Sequence, residues 1–260
     1  MTRSDPGTAA LLRLESRLRN LAAAQGMYTL GVADMTPAPV RAAVAASGGA
    51  WLAGFPRAVS VVCRLQDAVV DELPDHHRET VAARVYEFSI YKVVNPWLDQ
   101  TAHLLAEEIQ GSGFRAVPIP TSISVDAAGF QGAVSHKLAA HGAGIGWIGR
   151  SCLLVTPEVG PRVRLVTVLT DAPLAAGAPN DTGCGRCRLC VEACPAGAFT
   201  GRAFDPAEPV ETRMDVRACQ TYRAEAEKET GVPICGVCVA VCPHGRRPDH
   251  SGRDGDSTSA

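Results

Sequence analysis

Two runs of cysteine near the C-terminus constrain this sequence more than any other feature. The first run reads CxxCxxCxxxCP, and a later cysteine is followed by a second run, CxxCxxxCP. Two residues between successive cysteines let a tight turn direct each sulfur at a different iron of one cube, whereas the three-residue gap directs the next sulfur away. Runs of this kind bind two [4Fe-4S] clusters, and the fourth cysteine of a run serves the other cluster. The sequence therefore predicts two clusters.

This rule divides the eight cysteines into two sets of four. The expected ligands of the first cluster are Cys184, Cys187, Cys190 and Cys242, and those of the second cluster are Cys194, Cys219, Cys235 and Cys238. Pro195 and Pro243 follow the last cysteine of each run, where a fixed φ helps to turn the chain away from the cluster. Zinc sites favour two CxxC pairs, often with histidine, and disulfides need an oxidising compartment. Neither alternative explains the observed spacing.

Composition narrows the remaining function classes. The 260 residues are 46% hydrophobic, which is enough for a real core, and the net charge of −2 offers no basic excess for a phosphate backbone. No apolar run reaches the roughly 18 residues of a membrane span, and no export signal is visible, so we expect a cytoplasmic protein with no membrane partner. The two remaining cysteines, Cys63 and Cys152, are expected to be core thiols, with a nucleophile or a cofactor ligand as the alternative for Cys152.

The first part of the chain is expected to alternate helices and strands. Helices are predicted where apolar residues recur every three or four positions, and strands where β-branched residues run together. The expected helices are residues 8–25, 39–46 and 79–110, the last divided in two by Pro96, with a further helix ending over residues 136–141. The expected strands are residues 28–33, 58–63, 115–119, 152–155 and 162–169.

Turn and linker signals set the expected domain boundaries. Residues 172–182 are rich in alanine, proline and glycine, and they separate an α/β cofactor and substrate domain, residues 1–175, from a two-cluster domain, residues 176–245. The polar tail, residues 246–260, is expected to be disordered. His76, His77 and Arg78 are expected in a solvated polar turn.

A glycine segment precedes the cysteines and matches GxGxxG at Gly144, Gly146 and Gly149. A dinucleotide site needs a strand before these glycines and a long helix after them. Here a helix-like stretch precedes them and a strand-like stretch follows, so we reject a nicotinamide site. The glycines are expected to let the backbone approach a flat group or another element closely.

The segment GIGWIGRSCLLVTPEVGPRVRLVTVLTD, followed by the two cysteine runs, resembles the epoxyqueuosine reductases and, more distantly, the reductive dehalogenases. The resemblance implies an α+β fold, in which a nitroreductase-like α/β domain is followed by a bacterial two-cluster ferredoxin-like domain. It also implies a cobalamin-dependent oxidoreductase. Such an enzyme passes electrons from two [4Fe-4S] clusters to a corrinoid and removes oxygen or halogen from a substrate that the sequence leaves unidentified.

The resemblance also implies site residues. Asp126 is the nearest candidate for the catalytic acid, with a turn role as the alternative. The implied cofactor-binding residues are Tyr91, His136, Lys137, Gly144, Gly146, Trp147, Gly149 and Arg150. Core packing is the alternative for the aromatic residues, and a solvated or capping role is the alternative for the charged ones.

The expected partners are a small-molecule substrate and an external electron donor such as ferredoxin or flavodoxin. The resembling family holds tRNA partly with a C-terminal helical-repeat domain, and this sequence ends soon after its clusters, so tRNA is expected to be an unlikely partner. Three alternatives stay open: an electron-transfer protein that docks a partner enzyme, a tRNA epoxyqueuosine reductase, and a flavin-dependent reductase.

Overall fold

The computed structural model describes residues 6–76, 80–126, 131–180 and 182–245. Its α-helices are α1 (Pro6–Ala24), α2 (Ala38–Ala53), α3 (Asp67–Asp71), α4 (Thr80–Glu87), α5 (Asn95–Gly111), α6 (His136–Gly142), α7 (Leu189–Glu192), α8 (Val216–Thr230) and α9 (Val237–Ala240). Its strands are β1 (Thr29–Asp34), β2 (Arg57–Arg64), β3 (Ala116–Ile119), β4 (Trp147–Ile148), β5 (Leu154–Val155) and β6 (Val163–Thr170). The predicted tail, His77 and Arg78 lie outside the described residues.

Four strands form one antiparallel sheet in the order β1-β2-β6-β3. The six inner residues of β2 are all buried, because helices cover both faces of the sheet. Alternate side chains point to opposite faces, so neighbouring residues of one strand belong to different cores. Val59 and Val61 face the larger core, whereas Ala58 faces the smaller one.

The two cores place the helices. The larger core packs α1 and α5 on one face of the sheet, where Leu18, Leu98 and Leu105 are fully buried. The smaller core packs α2 and α6 on the opposite face, through Leu52 and Ala139. Full burial of each such leucine stabilises the fold by about 1.5–3 kcal/mol relative to exposure. The sheet is therefore the middle layer between two helical layers.

The edge strand β3 contains a proline whose position fits the ladder. The Asp171 N–H donates to the Arg115 carbonyl, so the ladder bonds fall on Arg115 and on every second residue after it. Pro118 pairs with Val168 between those bonds, and the position of its missing N–H faces away from the sheet. The proline therefore removes no ladder bond.

The long predicted helix at residues 79–110 divides where the sequence indicates. Helix α4 is followed by a π-helical segment, Phe88–Val94, and then by α5, which carries Pro96 in its first turn. A proline is tolerated there because the first N–H groups of a helix have no intrahelical partner. The division at Pro96 is confirmed, although the π-helical segment was not predicted.

Two local predictions need correction. Helix α2 does not end at the predicted residue 46; the chain breaks the helix at Gly49, with φ of 70°, and then resumes it to Ala53. The expectation of a solvated turn is wrong for His76, which is 1% exposed. Its Nδ1 lies 2.8 Å from the Leu73 carbonyl and its Nε2 lies 3.4 Å from the Tyr222 hydroxyl, so the ring joins the segment before α4 to α8.

The cysteine-bearing region shares the larger core. Ile234, Val239 and Ala240 are buried in it together with residues of α1 and α5. Gly236, with φ of 76°, lies against Leu73, and a Cβ there would come within 2.5 Å of the leucine. The expected linker is also packed, since the Gly177 N–H donates to the Val32 carbonyl along the edge of β1.

Within the described residues, no helix is both long enough and apolar enough to span a membrane.

Candidate iron-sulfur and cofactor site

The structure brings the eight cysteines of the two runs together in two groups. Cys242 interacts electrostatically with Cys184, Cys190 and Cys187. The Cys238 thiol interacts electrostatically with Cys235, Cys219 and Cys194. The first group (Cys184, Cys187, Cys190 and Cys242) and the second group (Cys194, Cys219, Cys235 and Cys238) are those that the spacing rule predicts. Each run therefore sends its last cysteine to the other group.

The two groups lie next to each other. The Cys238 thiol of the second group also interacts, more weakly, with Cys190 of the first. Two clusters bound at these groups would be neighbours, as electron transfer between them requires.

Burial governs the acidity of these thiols. Burial raises the pKa of Cys235 and the pKa of Cys242 to about 11 each, and it raises the pKa of Cys238 further. A thiol in such a place keeps its proton unless a cation replaces it, because burial disfavours the charged form. Iron would supply that charge and release the proton on binding.

All ten cysteines lie in the described part of the chain, and all are free thiols. Among the described residues, no three metal-ligating side chains lie close enough to hold a single ion. A cube needs a different arrangement, since its four cysteines bind four different irons. The hydrogen-bond donors at the sulfurs fit a cluster: the Ala198 N–H lies 3.4 Å from Cys194 Sγ, and the Trp147 indole N–H lies 3.5 Å from Cys184 Sγ.

The glycine segment lies against the first group. Trp147 is in β4, opposite Val155 of β5, and its ring packs edge-on against His244 with centroids 5.0 Å apart. A Cβ at Gly149 would lie 3.3 Å from Cys184 Sγ and 2.9 Å from the Val155 side chain. The Ser151 side chain favours the thiolate of Cys190 and opposes the rise in pKa that burial causes there. The tight turn between the two short strands thus presents its residues to the cysteines.

Arg150 fixes the cysteine loop to this turn. Its Nη2 donates to the Gly185 carbonyl at 2.9 Å, and its Nη1 donates to the Gly201 carbonyl. Its Nε is buried without a hydrogen-bond partner in the described ranges. Arg150 was predicted to bind a cofactor, and the structure places it on backbone carbonyls of the cluster region.

Gly144 and Gly146 permit close backbone approach, and the group that approaches is protein. A Cβ at Gly144 would lie 2.6 Å from the Ala178 carbonyl oxygen, and one at Gly146 would collide with the Val155 carbonyl. Helix α6 precedes the glycines and two short strands follow, as the rejection of a nicotinamide site supposed.

Lys137 and Arg213 place two cations beside Cys152. The Lys137 ammonium donates to the Cys152 carbonyl at 2.7 Å, and Arg213 Nη1 lies 3.8 Å from Cys152 Sγ. Burial lowers the pKa of Lys137, with smaller opposing effects that include Cys152 and Cys238. Cys152 and Cys63 are both 3% exposed, which confirms them as core thiols. Cys152 has φ of 56°, a left-handed conformation that costs energy in a residue other than glycine.

His136 is held as a neutral ring. Its Nε2 lies 3.1 Å from the Pro120 carbonyl, which can only accept, so Nε2 carries the proton and Nδ1 accepts from the Thr167 hydroxyl at 2.9 Å. Burial lowers the pKa of His136. The ring therefore joins the loop after β3 to β6.

Tyr91 is half-buried and packs against the larger core, as Cys238 of the second group does. The Arg164 guanidinium stacks over the Tyr91 ring, 4.9 Å from its centroid, and donates to Asn95 Oδ1. Burial raises the pKa of the Tyr86 hydroxyl, with smaller electrostatic effects from Tyr91, Arg164 and Cys238. Tyr91 and Cys238 both pack against the larger core, in which Tyr86 is buried.

Asp126 lies in the loop after β3 and acts there as a turn residue. Its Oδ1 accepts from the Gln131 N–H at 2.7 Å and from the Ser124 hydroxyl at 3.1 Å. Exposed Ile123 and Val125 precede it. Residues 127–130, which follow it, lie outside the described residues.

A cavity of about 540 Å³ lies beside the edge strand β3. Its lining includes Trp51, Phe55, Phe114 and Arg115. None of its lining residues is a predicted site residue.

Sequence reasoning missed several residues of the site. Ser151, Tyr86 and Arg213 contact or interact with cysteines, and His244 packs on Trp147. Ser151 follows Arg150 in the glycine segment, and His244 follows Pro243, so proximity to the motifs was the available signal. Arg213 lies between the two cysteine runs without any motif of its own.

Comparison with known proteins identifies the cysteine region. Residues 183–245 match the family described as 4Fe-4S double cluster binding domain. This match confirms the expectation of two [4Fe-4S] clusters.

Curated relatives extend the likeness beyond that region. The epoxyqueuosine reductase of Listeria monocytogenes is 35% identical over 96 residues, covering 37% of this chain and 23% of the relative. That of Gloeobacter violaceus is 33% identical over 142 residues, covering 54% of this chain and 39% of the relative. The chain thus matches less than two fifths of the length of these proteins. The resemblance expected from the sequence is confirmed.

Solved structures share the fold. A catabolic reductive dehalogenase superposes with a TM-score of 0.64 at 21% identity, covering 94% of this chain and 33% of the dehalogenase. An epoxyqueuosine reductase superposes with a TM-score of 0.57 at 19% identity, covering 90% of this chain and 66% of the reductase. The expected α+β fold is confirmed.

Proposed function

We propose that this double-cluster protein, similar to the epoxyqueuosine reductases, is an iron-sulfur reductase that uses a corrinoid to remove the epoxide oxygen of epoxyqueuosine in tRNA. The observation that carries the proposal is the pair of adjacent four-cysteine groups, the second of which includes Cys238, packed against the same core as Tyr91. Such an arrangement suits the delivery of single electrons to an acceptor held near Tyr91.

The chemistry requires two electrons. Removal of an epoxide oxygen as water leaves a carbon-carbon double bond and consumes two electrons and two protons. Each [4Fe-4S] cluster carries one electron at a time, so two clusters match the demand. A bound corrinoid would supply the strongly reducing cobalt centre that acts on the substrate. The protein supplies placement, exclusion of water and protons.

The residues that fit a corrinoid best lie on the surface of Tyr91 and Arg164. Arg164 Nη2 lies 3.4 Å from the Ser122 hydroxyl. Ile123 and Val125, close to Ser122 in sequence, have exposed apolar side chains. A broad flat macrocycle would cover such apolar side chains, while the arginine and serine bind its polar rim. Of the predicted cofactor-binding residues, Tyr91 and His136 belong to this side of the molecule. Trp147, Gly149 and Arg150 belong to the side of the first group.

Electrons would enter at the first cluster. Its loop is open to solvent at Gly185 and Arg186, whereas the second group includes Cys238, which packs against the larger core. An external donor such as ferredoxin or flavodoxin would therefore meet the first cluster and leave the second to reduce the corrinoid.

Asp126 is the proposed proton donor. Its carboxylate accepts hydrogen bonds from Ser124 and Gln131 of the same loop. A change in the conformation of that loop would therefore move the acid. A structure of the Bacillus subtilis epoxyqueuosine reductase is described with its aspartate catalytic loop swung out of the active site. This supports a mobile acid-bearing loop in a protein of the same fold.

The relatives argue against the expectation that tRNA is an unlikely partner. One solved epoxyqueuosine reductase contains an epoxyqueuosine-modified stem loop of tRNA. The expectation rested on where the sequence ends, and that end carries no information about the substrate. We therefore include tRNA among the proposed partners.

The test is a reconstituted assay. Protein purified without oxygen and loaded with iron, sulfide and cobalamin should hold about eight irons and one cobalt per chain. With a chemical reductant it should convert epoxyqueuosine in purified tRNA to queuosine, measured by mass spectrometry of the digested nucleosides. The Cys194→Ser variant should not. Fully loaded, reducible protein that forms no queuosine would refute the proposed substrate, and dehalogenation of a halogenated phenol by the same preparation would favour the other family of neighbours.

A further inference from the structure

Two side chains from the glycine segment direct hydrogen-bond donors at sulfurs of the first group. The Trp147 indole Nε1 lies 3.5 Å from Cys184 Sγ and donates to it. The Ser151 hydroxyl acts on Cys190, where it favours the thiolate and opposes the rise in pKa that burial causes. Trp147 is 3% exposed and Ser151 is 5% exposed, so water does not compete for either donor. Both residues lie outside the matched region of residues 183–245.

The surroundings hold both donors in place. Trp147 is fixed by its strand pairing with Val155 and by the edge-on contact of its ring with His244, two residues after Cys242. Ser151 follows Arg150, whose guanidinium bonds carbonyls of Gly185 and Gly201 in the cluster region. The donors are therefore aligned before a cluster binds, and little ordering is needed to use them.

We propose that Trp147 and Ser151 are positioning residues that raise the reduction potential of the first cluster. Reduction adds negative charge to the cluster and to its cysteine sulfurs, and a donor at the sulfur stabilises the reduced form more than the oxidised form. The low dielectric of the buried site strengthens this effect. A segment outside the double-cluster region thus tunes the cluster at which electrons enter.

The inference rests on the proposed ligands of the first cluster, and it is independent of the substrate. A higher potential at the first cluster would let a mild physiological donor reduce it, before the electron moves to the more buried second cluster. The second group has its own donors, among them the Ala198 N–H at Cys194, and neither Trp147 nor Ser151 is among its described contacts.

The test is a redox titration of the anaerobically reconstituted full chain, followed by EPR. Trp147→Phe keeps the aromatic ring and removes the donor, and Ser151→Ala removes the hydroxyl. We expect each variant to lower the ratio of reduced to oxidised first cluster at a fixed potential by up to about tenfold, equivalent to about 59 mV for one electron. Ser151→Thr, which keeps a hydroxyl, should restore the value.

Matched controls come from residues away from the cysteines. Trp97→Phe changes a half-buried tryptophan of α5 that packs against Gly26, and Ser60→Ala changes a buried serine whose hydroxyl has no hydrogen-bond partner within the described ranges. Neither should shift either cluster. If Trp147→Phe fails to assemble its clusters, Ser151→Ala and Ser151→Thr still test whether a donor from the glycine segment raises the reduction potential of the first cluster.

An unshifted first cluster in Ser151→Ala, with iron content intact, would overturn the role of Ser151, and the same result in Trp147→Phe would overturn that of Trp147. Equal shifts in the controls would overturn both. The titration needs neither corrinoid nor tRNA. Shifted potentials without queuosine formation would therefore refute the proposed substrate alone, and queuosine formation with unshifted potentials would refute this inference alone.

Discussion

At the scale of single residues, His136 makes the stability of the protein depend on pH. The ring is half-buried and neutral, and its partial burial lowers its pKa in the folded protein below the ordinary value of about 6.5. Between these two values the unfolded chain binds more protons than the folded one, so stability rises with pH. The contribution of His136 is complete above pH of about 6.5 and is lost as the pH falls through its folded pKa.

This dependence can be measured as the midpoint of thermal unfolding under anaerobic conditions between pH 8 and pH 5.5, values chosen to span the ordinary histidine pKa of about 6.5. We expect the midpoint of the native protein to fall below pH of about 6.5, and the midpoint of His136→Gln to fall less steeply. His103→Gln, at an exposed position of α5, is the control and should follow the native protein. Parallel curves for His136→Gln and the native protein would contradict the expectation.

Asp126 carries the second prediction at this scale. Asp126→Asn keeps an oxygen that can accept from Gln131 and Ser124, so the turn should survive, but the amide cannot donate a proton as an acid does. Loss of a general acid typically costs about 10²–10⁴ in rate. We expect queuosine formation to slow by that factor while iron content and reduction potentials stay unchanged. Asp34→Asn, at the end of β1, keeps an oxygen that can accept from the Thr36 N–H; it should retain full activity and serves as the control.

At the scale of elements, the turn before β6 supports the end of the second cysteine run. Gly160, with φ of 58°, bridges to Thr156 and lies against the His244 carbonyl, where a Cβ would collide. Gly245 approaches Val159 from the other side. Two loops cross here with no room for a side chain, and the crossing lies two residues from Cys242. The position of that ligand therefore depends on the loop before β6.

Gly160→Ala should disturb the first cluster more than the second. We expect the iron content of the reconstituted protein to fall from about eight towards about four per chain, because Cys242 belongs to the first set of ligands. Gly111→Ala at the end of α5, where a Cβ meets no atom within 4 Å, should leave the iron content intact. Equal loss of both EPR signals in Gly160→Ala would show that the crossing supports the whole region and not the Cys242 ligand.

The elements also show what sequence patterns can and cannot predict. The cysteine spacing predicted the two groups because two-residue gaps join ligands of one cluster and a three-residue gap assigns the next cysteine to the other cluster. Pro96 marked a helix start because its ring is excluded from a helix interior. His76 was misplaced because a polar residue beside a proline looks solvated unless its tertiary partner, Tyr222, is known. Ser151 was missed because its partner Cys190 lies in a separate stretch of the chain. Local chemistry is readable from sequence; pairings across the fold are not.

At the scale of the whole molecule, the large core crosses the expected domain boundary. Ile234, Val239 and Ala240 of the cluster region are buried among residues of α1, α5 and the sheet. The Arg84 side chain of α4 donates to the Thr230 carbonyl at the end of α8, at 2.8 Å. The two expected domains, residues 1–175 and 176–245, therefore complete one another's packing. We infer that they are functional regions of one cooperative unit.

Cooperativity of this kind predicts a single unfolding transition for the cluster-loaded chain. Heating should remove the visible absorbance of the clusters and the helical circular dichroism together, because loss of the clusters frees α9 from the core that it shares with α1 and α5. A fragment of residues 1–175 should lack part of that core and give a broad, weak transition. Val81→Ser, at a side chain that is 68% exposed, should leave the single transition unchanged. The opposite result has two parts: cluster absorbance is lost at a clearly lower temperature than helical circular dichroism, and the fragment unfolds at the higher of these two temperatures. The cluster region would then be a separate folding unit, and the shared core residues would contribute little to its stability.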